Sequence, residues 1–218
     1  MSADSSAPQR FGQAWKSVWI DRRFRVMAIA TAILLPVALR SLASFLNWVE
    51  DRPGVVLPDP VLRLFEARDV TWLTFSIIYI GLFAGIALLL RHPRSLLLAV
   101  QTYICMVIAR IAAMWLIALD PPVGAIPLQD PFVQILGTGQ LLTRDLFFSG
   151  HTSTLFLIGL SMPKKGLRVT YYIAAAIVGC CVLLQHDHYS IDVLAAPFFT
   201  YTAFRIASAI GQSKPTFS

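Results

Sequence analysis

The chain has 218 residues, of which 56% are hydrophobic and 14% charged, and its mean hydropathy is +0.66. Soluble domains carry about 25% charged residues, so this composition excludes a disordered chain and an ordinary cytosolic enzyme. A spanning helix takes about 20 apolar residues, so the length holds at most roughly six to eight spans and leaves no room for a second soluble domain.

Residues 1–25 form a basic N-terminal segment. Within 11–25, Phe11, Trp15 and Trp19 recur near helical spacing among basic residues, the pattern of a helix lying on an anionic membrane surface. The first apolar run covers 26–49, with a kink predicted at Pro36. In 58–70, Val61, Leu64 and Phe65 share one face, which predicts a surface or re-entrant helix. Further apolar runs follow at 70–90, 96–119, 147–162, 169–184 and 188–210, the last containing Pro197. The fourth and fifth of the six are near the lower length limit for a span. Gly81 and Gly85 make a G-x-x-x-G stripe suited to close helix packing. Lipid cannot satisfy exposed backbone groups, so these runs read as helices rather than open strands. The chain therefore reads as an all-α membrane protein: a six-transmembrane-helix bundle with both termini cytoplasmic. Residues 26–212 form its membrane catalytic domain and 213–218 a short tail.

The charges set that orientation. With six spans, one side holds the N-terminal arm, Arg91, Arg94, Lys164, Lys165, Arg168, Arg205 and Lys214, which is twelve of the 18 basic residues. The same side has two acids, Asp4 and Asp21, and the other ten acids fall opposite with Arg52, Arg63, Arg68 and Arg144. This is a positive-inside pattern. It also accounts for the net charge of +6 without nucleic acid, because the basic residues are spread over membrane-proximal arms rather than along one groove. Two arginines stay within spans. Arg40 can snorkel toward the outer end of the first helix. Arg110 sits nine residues before Leu119, roughly 13 Å down the third helix. The three cysteines, Cys105, Cys180 and Cys181, lie in apolar runs without metal or disulfide spacing.

The acidic side collects the reactive side chains, so the site is placed on the extracytoplasmic face. His188 and Asp192 are four apart at the start of the sixth helix and so share a face. A carboxylate there holds the imidazole in one tautomer and leaves the other nitrogen free to attack. His151 lies at the start of the fourth helix, and both helix starts present unpaired N–H groups that favour phosphate. Gly150 allows close backbone approach, Ser149 and Thr152 offer hydroxyls, and an intramembrane Arg110 is a candidate phosphate ligand. Two histidines, one carboxylate and an anion cradle suit phosphoryl transfer through a phosphohistidine. His188 is then the nucleophile, Asp192 its orienter and His151 the general acid. His186 competes with His188 but has Ser190, not a carboxylate, four residues on. Asp187 is a helix-start residue with a supporting role at most. Nothing in the His and Asp spacing marks a metal site, and the chemistry needs no cofactor.

At these residues the chain resembles a known family. Asp145-Leu-Phe-Phe-Ser-Gly-His-Thr152 resembles the sphingomyelin synthase motif C-G-D-x-x-[FY]-S-G-H-T, and His186-Asp-His-Tyr-Ser-Ile-Asp-Val193 is similar to its partner H-D-H-Y-[ST]-x-D-V. Leu57-Pro58-Asp59 resembles an earlier P-L-P-D element, and Arg110 with Leu119, Asp120 and Pro121 is similar to the family's R-x8-L-P region. The resemblance spans 57–200 and points to the sphingomyelin and ceramide phosphoethanolamine synthases, within the type 2 phosphatidic acid phosphatase superfamily. It implies a six-helix membrane bundle, a phospholipid donor and a lipid-hydroxyl acceptor such as ceramide. It also implies roles for Asp145 beside His151 and for Tyr189 at the phosphate. There are departures. Thr143 and Arg144 replace the Cys-Gly that opens the motif. Phe148 and Val182 stand where the broader phosphatase pattern has Pro and Arg. The family's additional acid has only Asp130 as a candidate. The same site with water as acceptor makes a lipid phosphatase or a phospholipase-C-like hydrolase. A non-catalytic lipid-binding membrane protein is the reading from another class.

Overall fold

The computed structural model describes residues 11–128 and 142–211. Among the described residues the regular structure is seven α-helices, one 3-10 turn at Leu62–Leu64 and one isolated bridge. The helices are α1 (Phe11–Trp19), α2 (Arg22–Glu50), α3 (Thr71–Leu89), α4 (Pro93–Leu116), α5 (Gly150–Ser161), α6 (Lys165–Leu184) and α7 (Ser190–Gly211). Five of them (α2, α3, α4, α6 and α7) are long and apolar enough to cross a membrane. The chain is an integral, multi-span α-helical membrane protein.

The fourth expected span is shorter than the apolar run that announced it. At 12 residues, α5 is about 18 Å long, against roughly 30 Å of hydrocarbon. It runs from the site end of the bundle toward the opposite, basic end and packs in the core along the way. Leu155 and Ile158 face α3, where Gly81 and Gly85 leave room for them: a Cβ on either glycine would stand 2.7 Å from Leu155 Cδ2 or Ile158 Cγ2. The small-residue stripe is thus used inside the bundle. The Tyr171 hydroxyl adds a bond to Gly81 O at 2.8 Å, pinning α6 to α3.

Local chemistry sets the boundaries. Asp21 caps α2 by accepting from Arg23 N at 2.9 Å, so the first span begins at Arg22 and is separate from α1. Trp15 Nε1 donates to Leu90 O at 2.9 Å, which docks α1 beside the end of α3. The helix expected over 58–70 does not form. Pro58 and Pro60 bracket Asp59, whose carboxylate takes Val61 N at 2.8 Å and Leu62 N at 3.4 Å and leaves only the 3-10 turn. α4 ends at Leu116 rather than 119, because 118–120 pair with another loop. Val55 N donates to Ala118 O at 3.1 Å, and Asp120 N donates to Val55 O at 3.2 Å. Gly54 permits that approach, since a Cβ there would overlap the Leu119 backbone. Arg52 covers the freed end of α4 by donating to Met114 O at 2.8 Å and Trp115 O at 3.1 Å.

Candidate active site

The starts of α5 and α7 meet at one end of the bundle. Ser149 caps α5: it is fully buried, and its hydroxyl accepts from Thr152 N at 3.5 Å. Its own N–H donates to Asp192 O at 3.2 Å, which ties the start of α5 to the first turn of α7. This bond brings the two helix starts carrying His151 and Asp192 together. His151, the second residue of α5, is half-buried and lies edge-on to Phe75, with ring centroids 6.2 Å apart.

His188 lies before α7, not within it. His186 takes a left-handed φ of 55° and turns the chain, so the helix starts two residues after His188. The pairing with Asp192 forms nonetheless. Asp192 Oδ2 lies 3.3 Å from His188 Nδ1 and also accepts from Tyr189 N at 3.1 Å. His188 is 4% exposed and Asp192 0%. Burial works against the His188 cation. The Asp192 hydrogen bond and the charges of Asp187, Asp192 and Asp145 outweigh it, holding the imidazole above its ordinary value of 6.5.

Asp145 meets Arg110. The two form an ion pair, with the Arg110 guanidinium 5.9 Å from the centre of the Phe148 ring. The guanidinium also fills the space over Gly150, where a Cβ would collide with it. The close approach that Gly150 permits is therefore to Arg110. Because α4 ends at Leu116, Arg110 is six residues from its end, about 9 Å rather than 13.

Residues 144–209 match the family model described as PAP2 superfamily C-terminal. This segment of the chain is thus similar to the C-terminal part of PAP2-superfamily proteins. No curated protein matches the chain. The PAP2 segment runs from Arg144 into α7 and contains Asp145, His151, His188 and Asp192. The chain is an integral membrane protein whose segment from Arg144 into α7 resembles the PAP2 superfamily.

Several supports of this candidate site come from outside the matched segment. Glu50, the last residue of α2, accepts from Thr143 N at 3.1 Å, from the Thr143 hydroxyl and from Arg144 N at 3.0 Å. Arg144 in turn donates from Nε to Asp120 Oδ1 at 2.7 Å and from its guanidinium to Glu50 O. This clamp fixes the residues entering Asp145. Asp59 Oδ2 accepts from Ser190 N at 2.6 Å, giving the first N–H of α7 a carboxylate. Burial opposes the Asp59 charge, but bonds from Ser190, Val61 and Leu62 outweigh it and keep the carboxyl below its usual range. The sequence points to Asp59 only through the P-L-P-D element, without a role. Asp120 enters the sequence reading only within the R-x8-L-P resemblance, without a role, and Glu50 carries no local signal.

The other expected site residues are placed as follows. The Tyr189 hydroxyl donates to Asp120 O at 2.8 Å and accepts from Leu57 N at 3.1 Å, so it holds two loops. Thr152 Oγ1 is buried without a partner among the described residues. Asp187 Oδ1 accepts from Leu128 N at 3.0 Å. His186 Nδ1 is 3.4 Å from Val123 O. Val182 is fully buried in the core. Asp130, with Asp4 and Lys214, lies outside the described residues. Among the described residues, no three His, Cys, Asp or Glu side chains converge as a metal cluster.

Proposed function

We propose that this protein is a lipid phosphotransferase. It moves a phospho-head group from a glycerophospholipid to a lipid hydroxyl of the ceramide type, through a phosphohistidine. His188 Nε2 attacks phosphorus while Nδ1–H stays bonded to Asp192. The bond from phosphorus to the diacylglycerol oxygen breaks, and His151 gives that oxygen its proton. The acceptor hydroxyl then attacks phosphorus and His151 takes its proton. The N–P bond breaks, returning both histidines to their starting state. Asp145, Arg110, Ser149, Gly150, Thr152 and Tyr189 shape the phosphate end of the site.

The observation that carries this reading is the buried His188–Asp192 pair, 3.3 Å apart and joined to the start of the His151 helix through Ser149 N. The burial of both partners favours a lipid acceptor over bulk water, which would hydrolyse the intermediate. The test incubates purified protein with a head-group-labelled phospholipid, with and without ceramide. Labelled sphingolipid formed only with ceramide supports transfer. Free phosphocholine or phosphoethanolamine means a hydrolase, and inorganic phosphate released from phosphatidic acid means a phosphatase.

The site faces the extracytoplasmic side in this reading, with both termini cytoplasmic. The charge distribution supports it: among the described residues, Lys16, Arg22, Arg23, Arg25, Arg91, Arg94, Lys164, Lys165 and Arg168 lie at or near the end opposite the site. A cysteine introduced as Leu64→Cys, at an exposed position of the site end, is expected to react with a membrane-impermeant maleimide on intact cells.

A further inference from the structure

The residues entering Asp145 are held by a helix that gives the proposed reaction no group of its own. Glu50 ends α2, well before the segment that resembles the PAP2 superfamily. Its carboxylate takes the consecutive N–H groups of Thr143 and Arg144, both at 3.0 Å, and the Thr143 hydroxyl as well. Two consecutive N–H groups on one carboxylate fix two planar amides in a row, so the next residue, Asp145, starts from a set direction. The Arg144 side chain closes the same clamp by donating to Asp120 Oδ1 and to Glu50 O. Thr143 and Arg144 are also the two positions where the chain departs from the Cys-Gly of the motif it resembles. A glycine at 144 would have no side chain to make the last two bonds.

The placement matters because of what Asp145 reaches. It pairs with Arg110 of α4, whose guanidinium lies against Gly150 at the opening of α5. Ser149 N joins that opening to Asp192, and Asp192 holds His188. The charged groups around His188 are thus Asp187 and Asp192 from its own segment and Asp145, with its partner Arg110, from across the site, and His151 opens α5 beside them. Burial disfavours the His188 cation, and the Asp145 charge is one of those that outweigh it.

We propose that Glu50 is a positioning residue: it sets where the Asp145 carboxylate stands and, through it, how readily His188 holds a proton. The proposal rests on the reaction above only in taking His188 as the reactive imidazole.

The test reads His188 directly and needs no turnover. The full chain, with ¹⁵N-labelled histidine, is titrated with pH in nanodiscs. Of its four histidines, His188 is assigned by the signal lost in His188→Gln. Glu50→Gln keeps the size of the side chain and replaces one accepting oxygen by an NH2 group. The N–H groups it releases are only partly buried and can turn to water, so the fold is expected to stand. Moving a negative charge away from an imidazole lowers its pKa. The expected result is a His188 midpoint at lower pH in Glu50→Gln, by most of the shift that Asp145→Asn produces, with no further shift when the two are combined. Should Glu50→Gln not reconstitute, Arg144→Gly opens the clamp from its other side and is expected to give the same shift. A Glu50→Gln that lowers Tm while His188 titrates as in the wild type is a structural tie only, and overturns the proposal. So does an undiminished Glu50→Gln shift in the Asp145→Asn background, an Asp145→Asn that leaves His188 unmoved, or a His188 signal that does not titrate. If the shifts appear and no head group is transferred, the positioning stands and the transfer reading fails.

Discussion

In the proposed reaction the His188–Asp192 contact acts through its protonation. A nucleophilic imidazole must be neutral at the attacking nitrogen, and this one is held above 6.5 by its carboxylate neighbours against the effect of burial. The rate is therefore expected to rise with pH through an apparent pKa above 6.5, read from kcat/KM profiles. Asp192→Asn removes the main support of the cation. It is expected to move that limb to lower pH and to reduce the rate by about 10²–10⁴-fold. The stability effect has the opposite pH sense. A raised folded-state pKa contributes stability that is fully present below 6.5 and is lost as pH climbs through the folded value. His188, Asp192 and His151 were legible in the sequence because their relation is short-range: four residues in one case, a Ser-Gly-His helix start in the other. What the spacing did not convey is that His188 precedes the helix. That follows from the turn at His186, whose left-handed φ leaves no mark in a one-dimensional pattern.

At the scale of elements, the start of α7 is held from a distance. Asp59 supplies the acceptor for Ser190 N across 131 residues of chain, and Glu50 holds Thr143 and Arg144 across 93 and 94. No periodicity connects such pairs, so the spans were readable from apolar runs while the loops that aim the catalytic groups were not. The surface helix expected over 58–70 fails for the same reason: Asp59 uses its carboxylate to make a turn and to cap a remote helix. Asp59→Asn keeps one oxygen acceptor and loses the other. It is expected to destabilise the protein by about 1–2 kcal/mol, the usual worth of a helix cap, seen as a lower Tm in detergent. The difference from wild type should shrink in acid. A depressed carboxyl contributes stability above its ordinary pKa and loses it as pH falls through the folded value.

For the molecule as a whole, the central fact is that a short helix stands among long ones. Eight of the 12 residues of α5 are buried, while α2, α3, α4, α6 and α7 run 19 to 29 residues. Composition predicted a multi-span α-helical membrane protein, because it is a sum over many residues. The length of α5 escaped, because the apolar run continues through Phe147 and Phe148, which belong to the loop that precedes it.

The contact between Arg110 and the start of α5 fixes a depth. Arg110 lies about 9 Å short of the end of α4, and Gly150 opens α5 against its guanidinium. The floor of the candidate site is thus sunk beneath the rim made by its neighbours. A phospholipid keeps its phosphorus at the water boundary of the bilayer, so either the lipid descends or the boundary dips to meet the protein. Membrane thickness then becomes a kinetic variable. Turnover is expected to be faster in bilayers of short acyl chains (about 14 carbons) than of long ones (about 20 carbons), because the thinner film has less distance to yield. Initial rates in the two lipids at equal substrate fraction would measure it, and equal rates would mean that the rim, not the film, delivers the head group.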